Sequence, residues 1–132
     1  DPGNLGSIIR TADWFGIEHI FCALNTVDYL NPKVIHSTMI SAFRVNIHYQ
    51  DLAPLIKENG NQAFGAFMEG QPFESIDPNA VQLLVLGNEG RGISSELAAL
   101  LPNKLTIPRI GAAESLNVGV ATGILLQHFA KS

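Results

Sequence analysis

The sequence is short of the residues on which several classes of protein depend. It has a single cysteine, Cys22, among 132 residues, so it can build neither a disulfide framework nor a cysteine-rich metal site. No apolar run approaches the ~20 residues that a membrane-spanning helix needs, and residues 1–4 show no basic segment leading into an apolar one. We therefore expect a cytoplasmic protein with no membrane segment.

Basic residues are also scarce. Eight Lys and Arg stand against twelve Asp and Glu, which gives a formal charge of −4 and a pI of about 5.4. This balance argues against a protein that binds phosphates over its whole surface, so any contact with nucleic acid must be local. Five basic residues could form such a patch, and four of them adjoin loops rich in Gly, Asn or Pro: Arg10, Lys33, Arg44, Arg91 and Arg109.

Apolar residues, by contrast, make up 46% of the chain and fall into short runs. Helical spacing of apolar positions predicts a first amphipathic helix over 4–15. Further helices are predicted at 31–38, 51–59, 94–100 and 115–129, and strands at 18–24, 43–49, 62–68, 81–86 and 104–107. Strands that alternate with helices predict one α/β domain with an open, mostly parallel sheet, in which ligands bind beyond the carboxyl ends of the strands. The strand over 81–86 is apolar enough to be buried on both faces.

Three segments at the ends of these elements carry polar and small residues. Residues 4–12 place Asn4 at a helix start and Arg10 almost two turns later. Residues 86–94 contain three glycines directly after a buried strand, where glycine lets backbone N–H groups approach a ligand. Residues 107–118 form a loop of small residues before a helix that is apolar nearly all round. Such a helix must be buried against the sheet and a second surface, for which a partner subunit is the natural candidate.

Each segment alone also has an ordinary structural explanation. Arg10 could be a surface arginine, the glycines could simply turn a corner, and Ser115 could be the N-cap of the last helix. The four histidines are scattered without the spacing of metal ligands, so we expect no metal.

In combination the segments are more specific. Asn-x5-Arg-Thr-Ala, Gly-Asn-Glu-Gly-x-Gly and Ile-Pro-x6-Ser-Leu-Asn-Val resemble the three signature motifs of the SpoU (TrmH) branch of the SPOUT methyltransferases, over essentially the whole chain. The resemblance implies methyl transfer from S-adenosylmethionine to a ribose 2′-hydroxyl of tRNA or rRNA, without a metal. It also implies a carboxyl-terminal trefoil knot and a homodimer that forms through the first and last helices.

The resemblance also implies a set of site residues. Five polar residues take the places of the family's active-site residues: Asn4, Arg10, Glu89, Ser115 and Asn117. Arg10 is the leading candidate for activating the 2′-hydroxyl, although a guanidinium is normally protonated and would need help from a phosphate. The loops expected to hold S-adenosylmethionine contribute Thr38, Leu86, Gly87, Asn88, Gly90, Ile107, Leu116 and Asn117.

The start of the chain bears on its domain organisation. Residues 1–4 read as a loop that leaves a strand. We expect residues 1–132 to form the methyltransferase catalytic domain, without its first strand and without an amino-terminal RNA-recognition domain.

Two alternatives to an active methyltransferase remain open. Ile40 stands where similar proteins carry a glycine, and together with the acidic pI this favours a non-catalytic RNA-binding relative that keeps the knotted fold. A Rossmann-type nucleotide-binding enzyme is the weaker alternative, because no G-x-G-x-x-G opens a helix.

Overall fold

The structure is a computed structural model that describes residues 2–26, 41, 44–88 and 91–130. The predicted helix over 31–38 and the expected site residues Thr38, Glu89 and Gly90 lie outside these described residues, as does Ile40.

The described chain alternates between helices and strands. Its α-helices are α1 (Pro2–Trp14), α2 (Ala53–Asn59), α3 (Ser95–Leu100) and α4 (Val118–Phe129). Its strands are β1 (His19–Cys22), β2 (Asn46–Tyr49), β3 (Ala63–Pro72), β4 (Leu83–Val85) and β5 (Asn103–Thr106). Short 3-10 turns occupy Gly60–Gln62, Phe73–Ser75 and Pro78–Ala80. None of the helices in this part of the chain has the length and apolar character needed to cross a membrane.

Side-chain hydrogen bonds lie at two of the predicted helix starts. The carboxylate of Asp51 accepts from the backbone N–H of Ala53 at 3.2 Å, but the N-cap of α2 is Leu52, so this helix begins two residues after its predicted start at 51. The hydroxyl of Ser94 accepts from the N–H of Leu97 at 3.3 Å and caps α3. These side chains satisfy N–H groups that have no partner inside the first turn of a helix.

The predicted start of the last helix is wrong by three residues. Helix α4 begins at Val118, and its N-cap is Asn117, not Ser115. Serine and asparagine are both good N-caps, so the sequence alone could not choose between them.

The strands form two parallel sheets. In the first, β1 pairs with β2, and His19 lies opposite Asn46. In the second, β3 lies between β4 and β5, and Gly65 faces Val85 on one side and Lys104 on the other. The predicted α/β architecture with parallel strands is therefore confirmed, but the prediction of one sheet is wrong for the described residues, whose strands fall into two.

Apolar clusters hold the helices onto these sheets. Leu5 and Ile9 of α1 pack against Cys22 of β1. The three-stranded sheet is covered on both faces, since Leu84 belongs to a cluster with Leu125 of α4, whereas Val85 belongs to a second cluster. That second cluster contains the side chains Ile56, Ala63, Val85 and Leu101. Strand β4 is thus packed on both faces, as the apolar run predicted.

Candidate functional site

Two of the expected site residues meet where α1 and α4 begin. The Oδ1 atom of Asn117 accepts from the backbone N–H groups of Gly119 at 2.8 Å and Val120 at 3.2 Å. Because that oxygen caps the helix, the Nδ2 group of Asn117 is left to donate, and it donates to Oδ1 of Asn4 at 3.0 Å. One side chain therefore caps α4 and binds the first helix.

This arrangement fixes the orientation of the Asn4 carboxamide. Its oxygen faces Asn117, so its Nδ2 group points the other way, where it is buried without a hydrogen-bond partner. A buried donor without an acceptor costs about 1–3 kcal/mol. Asn4 therefore presents a buried N–H donor that an oxygen of a bound molecule could satisfy.

A glycine lets the two helices come this close. A Cβ atom at Gly119 would lie 3.1 Å from Oδ1 of Asn117 and 3.2 Å from Cβ of Ser7. Both distances are shorter than ordinary van der Waals contact. Gly119 therefore permits the close approach of α4 to α1 beside the asparagine pair.

The loops expected to hold the methyl donor leave the sheet at one edge. Strands β4 and β5 flank β3 and run parallel to it, so their carboxyl ends point the same way. Leu86, after β4, and Ile107, after β5, both pack against the apolar cluster that contains α4. The two loops therefore begin on a common apolar base.

The loop after β4 folds back tightly on itself. Asn88 and Gly92 exchange backbone hydrogen bonds of 3.2 and 2.7 Å, and Gly92 has a φ of +66°. A Cβ atom at Gly87 would clash with the carbonyl carbon of Gly92. Only glycine fits at position 87, and its bare backbone lies at the carboxyl edge of the sheet.

The loop after β5 is exposed and carries apolar side chains. The guanidinium of Arg109 donates to the carbonyl of Ala113 at 2.9 Å and draws the loop into a turn. Ile110 is fully exposed and Leu116 is 47% exposed. Ser115 is also exposed. Exposed apolar residues in a loop are suited to contact with a ligand or a second chain.

Arg10 lies apart from the asparagine pair, in a groove of about 470 Å³ between the outer faces of α1 and α4. Trp14 lines the same groove and is 84% exposed. The lining residues are Ser7, Arg10, Thr11, Trp14, Phe15, Gly123 and Gln127. Ser7 connects the groove to the close contact at Gly119, since it takes part in both.

An ion pair lies on the flank of α1 next to Arg10. Asp13 accepts from Nη2 of Arg44 at 2.6 Å and from the hydroxyl of Ser41 at 2.7 Å. These hydrogen bonds, that of Arg44 first, hold the pKa of the Asp13 carboxyl below its ordinary value. The same contact raises the pKa of Arg44. Ser41 and Arg44 lie just before β2, so the ion pair ties the first helix to that strand.

The structure thus brings together some of the expected site residues and not others. Asn4 and Asn117 are in contact, and Leu86 and Ile107 share a cluster, but Arg10 faces a groove that none of these four residues lines. The sequence reasoning missed the other groove residues, although Ser7, Thr11 and Trp14 follow helical spacing. It also missed Asp13, for which the sequence offers no signal beyond its place three residues after Arg10.

The chain is similar in sequence to known proteins. The SpoU rRNA Methylase family model matches residues 1–127. The 23S rRNA (guanosine(2553)-2′-O)-methyltransferase RlmP of Bacillus subtilis is 36% identical over 97% of this chain and 53% of its own length. The tRNA (guanosine(18)-2′-O)-methyltransferase of Aquifex aeolicus is 32% identical over 93% of this chain and 61% of its own length.

Solved structures are similar as well. The AdoMet-bound rRNA methyltransferase from Sinorhizobium meliloti superimposes with a TM-score of 0.87 at 34% identity, over 98% of this chain and 51% of that one. The chain spans about half the length of the curated relatives it matches. Since the family model covers nearly all of it, the chain belongs to the SpoU rRNA methylase family.

Proposed function

We propose that this chain is the catalytic domain of an RNA 2′-O-methyltransferase, which transfers a methyl group from S-adenosylmethionine to a ribose 2′-hydroxyl of tRNA or rRNA. The observation that carries the proposal is the contact between Asn4 and Asn117, which leaves a buried N–H donor of Asn4 without an acceptor. Asn117 ends the loop that leaves β5, so this donor lies beside one of the two loops expected to hold the methyl donor. The relatives named above are methyltransferases that act on rRNA or tRNA, which supports the same reaction.

The residues at the carboxyl edge of the sheet fit a ligand with apolar and polar parts. The side chains of Leu86, Ile107 and Leu116 would contact its apolar surface, and the backbone at Gly87 and Asn88 would bind its polar atoms. When bound, S-adenosylmethionine supplies a methyl group on a positively charged sulfur, which is a good leaving group. The expected contributions of Thr38 and Gly90 belong to the same proposal.

The protein has two tasks in this reaction, to align the reacting atoms and to remove one proton. The ribose 2′-oxygen, the methyl carbon and the sulfur must be in line, and one proton must leave the 2′-oxygen. Arg10 is exposed in its groove, apart from the asparagine pair of its own chain, so in the dimer proposed below it would serve the site of the facing copy. It suits a phosphate next to the ribose that reacts there, because a guanidinium presents several N–H donors in one plane. A phosphate bound there could accept the proton.

The remaining polar residues act by position. Asn117 sets the orientation of Asn4, whose free N–H would donate to an oxygen of the ribose or of the methyl donor. Glu89 would hold the loop after β4 in shape. Ser115 is exposed in the loop before α4, where its hydroxyl could contact either substrate.

We further propose the trefoil knot and the homodimer. The proposal of the knot rests on the family to which the chain belongs. A second copy is the partner that best fits the groove between α1 and α4, because Trp14 is exposed there beside small residues. The chain has only part of the length of its relatives, so we also propose that further residues supply a first strand and an RNA-recognition domain.

The alternative of a non-catalytic RNA-binding relative gains no support. It was motivated by Ile40, which lies outside the described residues, and by the acidic pI. The buried Nδ2 group of Asn4, which has no acceptor, and the methyltransferases among the relatives both favour catalysis.

A methylation assay tests the proposal. The full-length protein is incubated with S-adenosylmethionine carrying a tritiated methyl group and with rRNA and tRNA from a strain that lacks the gene. We expect label in RNA, and nuclease digestion should release it as a 2′-O-methylated nucleoside. No label in either RNA would contradict the proposal.

A matched pair of variants tests the role of Asn4. Asn4→Ala should lower kcat/KM about tenfold or more, since a hydrogen bond of this kind contributes roughly 1–3 kcal/mol and 1.4 kcal/mol is a factor of ten. Asn79→Ala is the control, because Asn79 is exposed and lies far along the chain from the asparagine pair. Equal activities in the two variants would show that Asn4 has no role in methyl transfer.

A further inference from the structure

An acidic residue on the same helix, Asp13, could compete with an RNA phosphate for the guanidinium of Arg10. Asp13 follows it by three residues in α1, a spacing at which an acid and a base on a helix surface can form an ion pair. Such a pair would neutralise the guanidinium that the proposed function assigns to an RNA phosphate. Yet Arg10 makes no hydrogen bond or ion pair with any described residue.

The carboxylate of Asp13 instead accepts hydrogen bonds from Arg44 and Ser41. Its Oδ1 atom accepts from Nε of Arg44 at 3.0 Å. Its Oδ2 atom accepts from Nε and Nη2 of Arg44 at 3.0 and 2.6 Å and from Ser41 at 2.7 Å. Both carboxylate oxygens are therefore occupied, and two oxygens held by one guanidinium is the strongest geometry for such a pair.

The exposure of these side chains shows on which side of α1 the Asp13 carboxylate lies. Ser41 is buried, the Asp13 side chain is 18% exposed, and Arg44 is 54% exposed. The carboxylate is thus turned from the groove face of α1 toward the segment that leads into β2. Arg10 lies on the groove face with Ser7 and Trp14.

We propose that Arg44 is a positioning residue that holds Asp13 away from Arg10, so that the Arg10 guanidinium stays available to a phosphate of the RNA. The inference rests on the proposed function for the role of Arg10. It adds a residue outside the three sequence motifs, and it explains why an acidic side chain next to Arg10 does not neutralise it.

The kinetic test compares three variants of the full-length protein: Arg44→Gln, Asp13→Asn and the double variant. Removal of Arg44 frees Asp13 to pair with Arg10, so Arg44→Gln should raise KM for RNA about two- to fivefold, the range expected for a surface ion pair. Asp13→Asn removes the competitor and should stay near the wild-type value. In the double variant, KM for RNA should be lower than in Arg44→Gln and close to that of Asp13→Asn.

A purely structural ion pair gives a different pattern. In that case Asp13→Asn would be as damaging as Arg44→Gln, and the double variant would be no better than either. That pattern, or an Arg44→Gln variant with unchanged KM, would overturn the inference. Circular dichroism of each variant checks that α1 is retained.

A second measurement does not depend on activity. Carbon NMR follows the titration of the Asp13 carboxyl in the same full-length protein. In Arg44→Gln the pKa of Asp13 should rise only part of the way to its ordinary value, because Arg10 takes over as partner, and in Arg10→Gln/Arg44→Gln it should rise further; the hydrogen bond from Ser41 lowers the pKa in both variants. The same pKa of Asp13 in both variants would overturn the inference. An enzyme that passes this titration but methylates no RNA would contradict only the proposed function.

Discussion

At the scale of single residues, the site depends on how one carboxamide divides its hydrogen bonds. Asn117 accepts two backbone N–H groups with its oxygen and donates to Asn4 with its nitrogen. An aspartate at the same position could still accept at the helix start but could not donate. The two roles of this residue can therefore be separated by mutation.

Asn117→Asp should keep α4 capped and lower methyl transfer. A carboxylate at a helix N-terminus is favourable, so the melting temperature should change little. The Asn4 amide would turn to donate to the new carboxylate, its N–H would no longer be available to a ligand, and kcat/KM should fall about tenfold.

Asn117→Ala is the comparison, because it loses the cap as well and should cost about 1 kcal/mol of stability. Calorimetric melting and methylation assays measure the two effects. An Asn117→Asp variant with full activity would show that the orientation of Asn4 is irrelevant.

Burial of Cys22 gives a prediction about pH. Loss of solvent raises the pKa of this thiol from 9.0 to about 11, so the folded state binds its proton more tightly than the unfolded state. The stability that this provides is fully present below pH 9.0 and is lost as the pH rises toward about 11. Urea unfolding between pH 8 and 11 should therefore show a decline that Cys22→Ala lacks. The same decline of the unfolding free energy with pH in the wild type and in Cys22→Ala would contradict this prediction.

Single residues were predicted with mixed success. The contact of Asn4 with Asn117 could be expected only from the motif resemblance, since the two lie 113 residues apart. The alternative in which Ser115 caps the last helix is wrong, because Asn117, an equally good capping residue two positions later, takes that place. Asp13 could not be found at all, since its partner Arg44 is distant in sequence and ion pairs leave no periodic pattern.

At the scale of elements, the packing of α4 against α1 makes two glycines of one helix behave differently. A Cβ atom at Gly119 would press on Ser7 and Asn117, whereas a Cβ atom at Gly123 would meet nothing within 4 Å. Glycine in a helix costs about 1 kcal/mol relative to alanine. The two positions therefore form a matched pair.

Gly123→Ala should raise the free energy of unfolding of the single chain by about 1 kcal/mol, since the new methyl group meets no atom of that chain and the helix propensity improves. Gly119→Ala should give no gain or a loss, because the new methyl group must push α1 aside. Denaturant unfolding measures both. Equal stabilisation at the two positions would mean that the helices do not touch at Gly119.

The elements themselves were largely predictable, because their patterns are local. Apolar spacing, Asp51 and Ser94 located α1, α2 and α3 within one to two residues. Strand β3 runs on to Pro72, beyond its predicted end at 68, and Ala66 and Gln71 both lie opposite Leu105. Such an irregularity depends on the neighbouring strand, which a single segment does not reveal.

At the scale of the whole molecule, the proposed dimer makes the groove between α1 and α4 an interface. The 132-residue chain should sediment as a species of twice 14.2 kDa. Trp14→Arg places a charge in the groove and should give a monomer. Met68→Arg is the control, since Met68 is 61% exposed on β3 and outside the groove. A dimer that survives Trp14→Arg would place the interface elsewhere.

The overall architecture followed from the alternation of helices and strands, which dictates a parallel sheet covered on both faces. The order of the strands did not follow, because β4, β3 and β5 are neighbours through contacts between distant segments. Threading of the chain leaves even less trace in local patterns, so the knot comes from the family resemblance alone.

The central claim is that the loops after β4 and β5 enclose S-adenosylmethionine beside Asn4 and Asn117. Hydrogen–deuterium exchange of the protein with and without S-adenosylmethionine tests it most directly. We predict slower exchange of backbone amides in residues 86–92 and 107–119 when the donor is present, with ATP as a control ligand that gives no protection. Unchanged exchange in both loops at saturating donor would contradict the account.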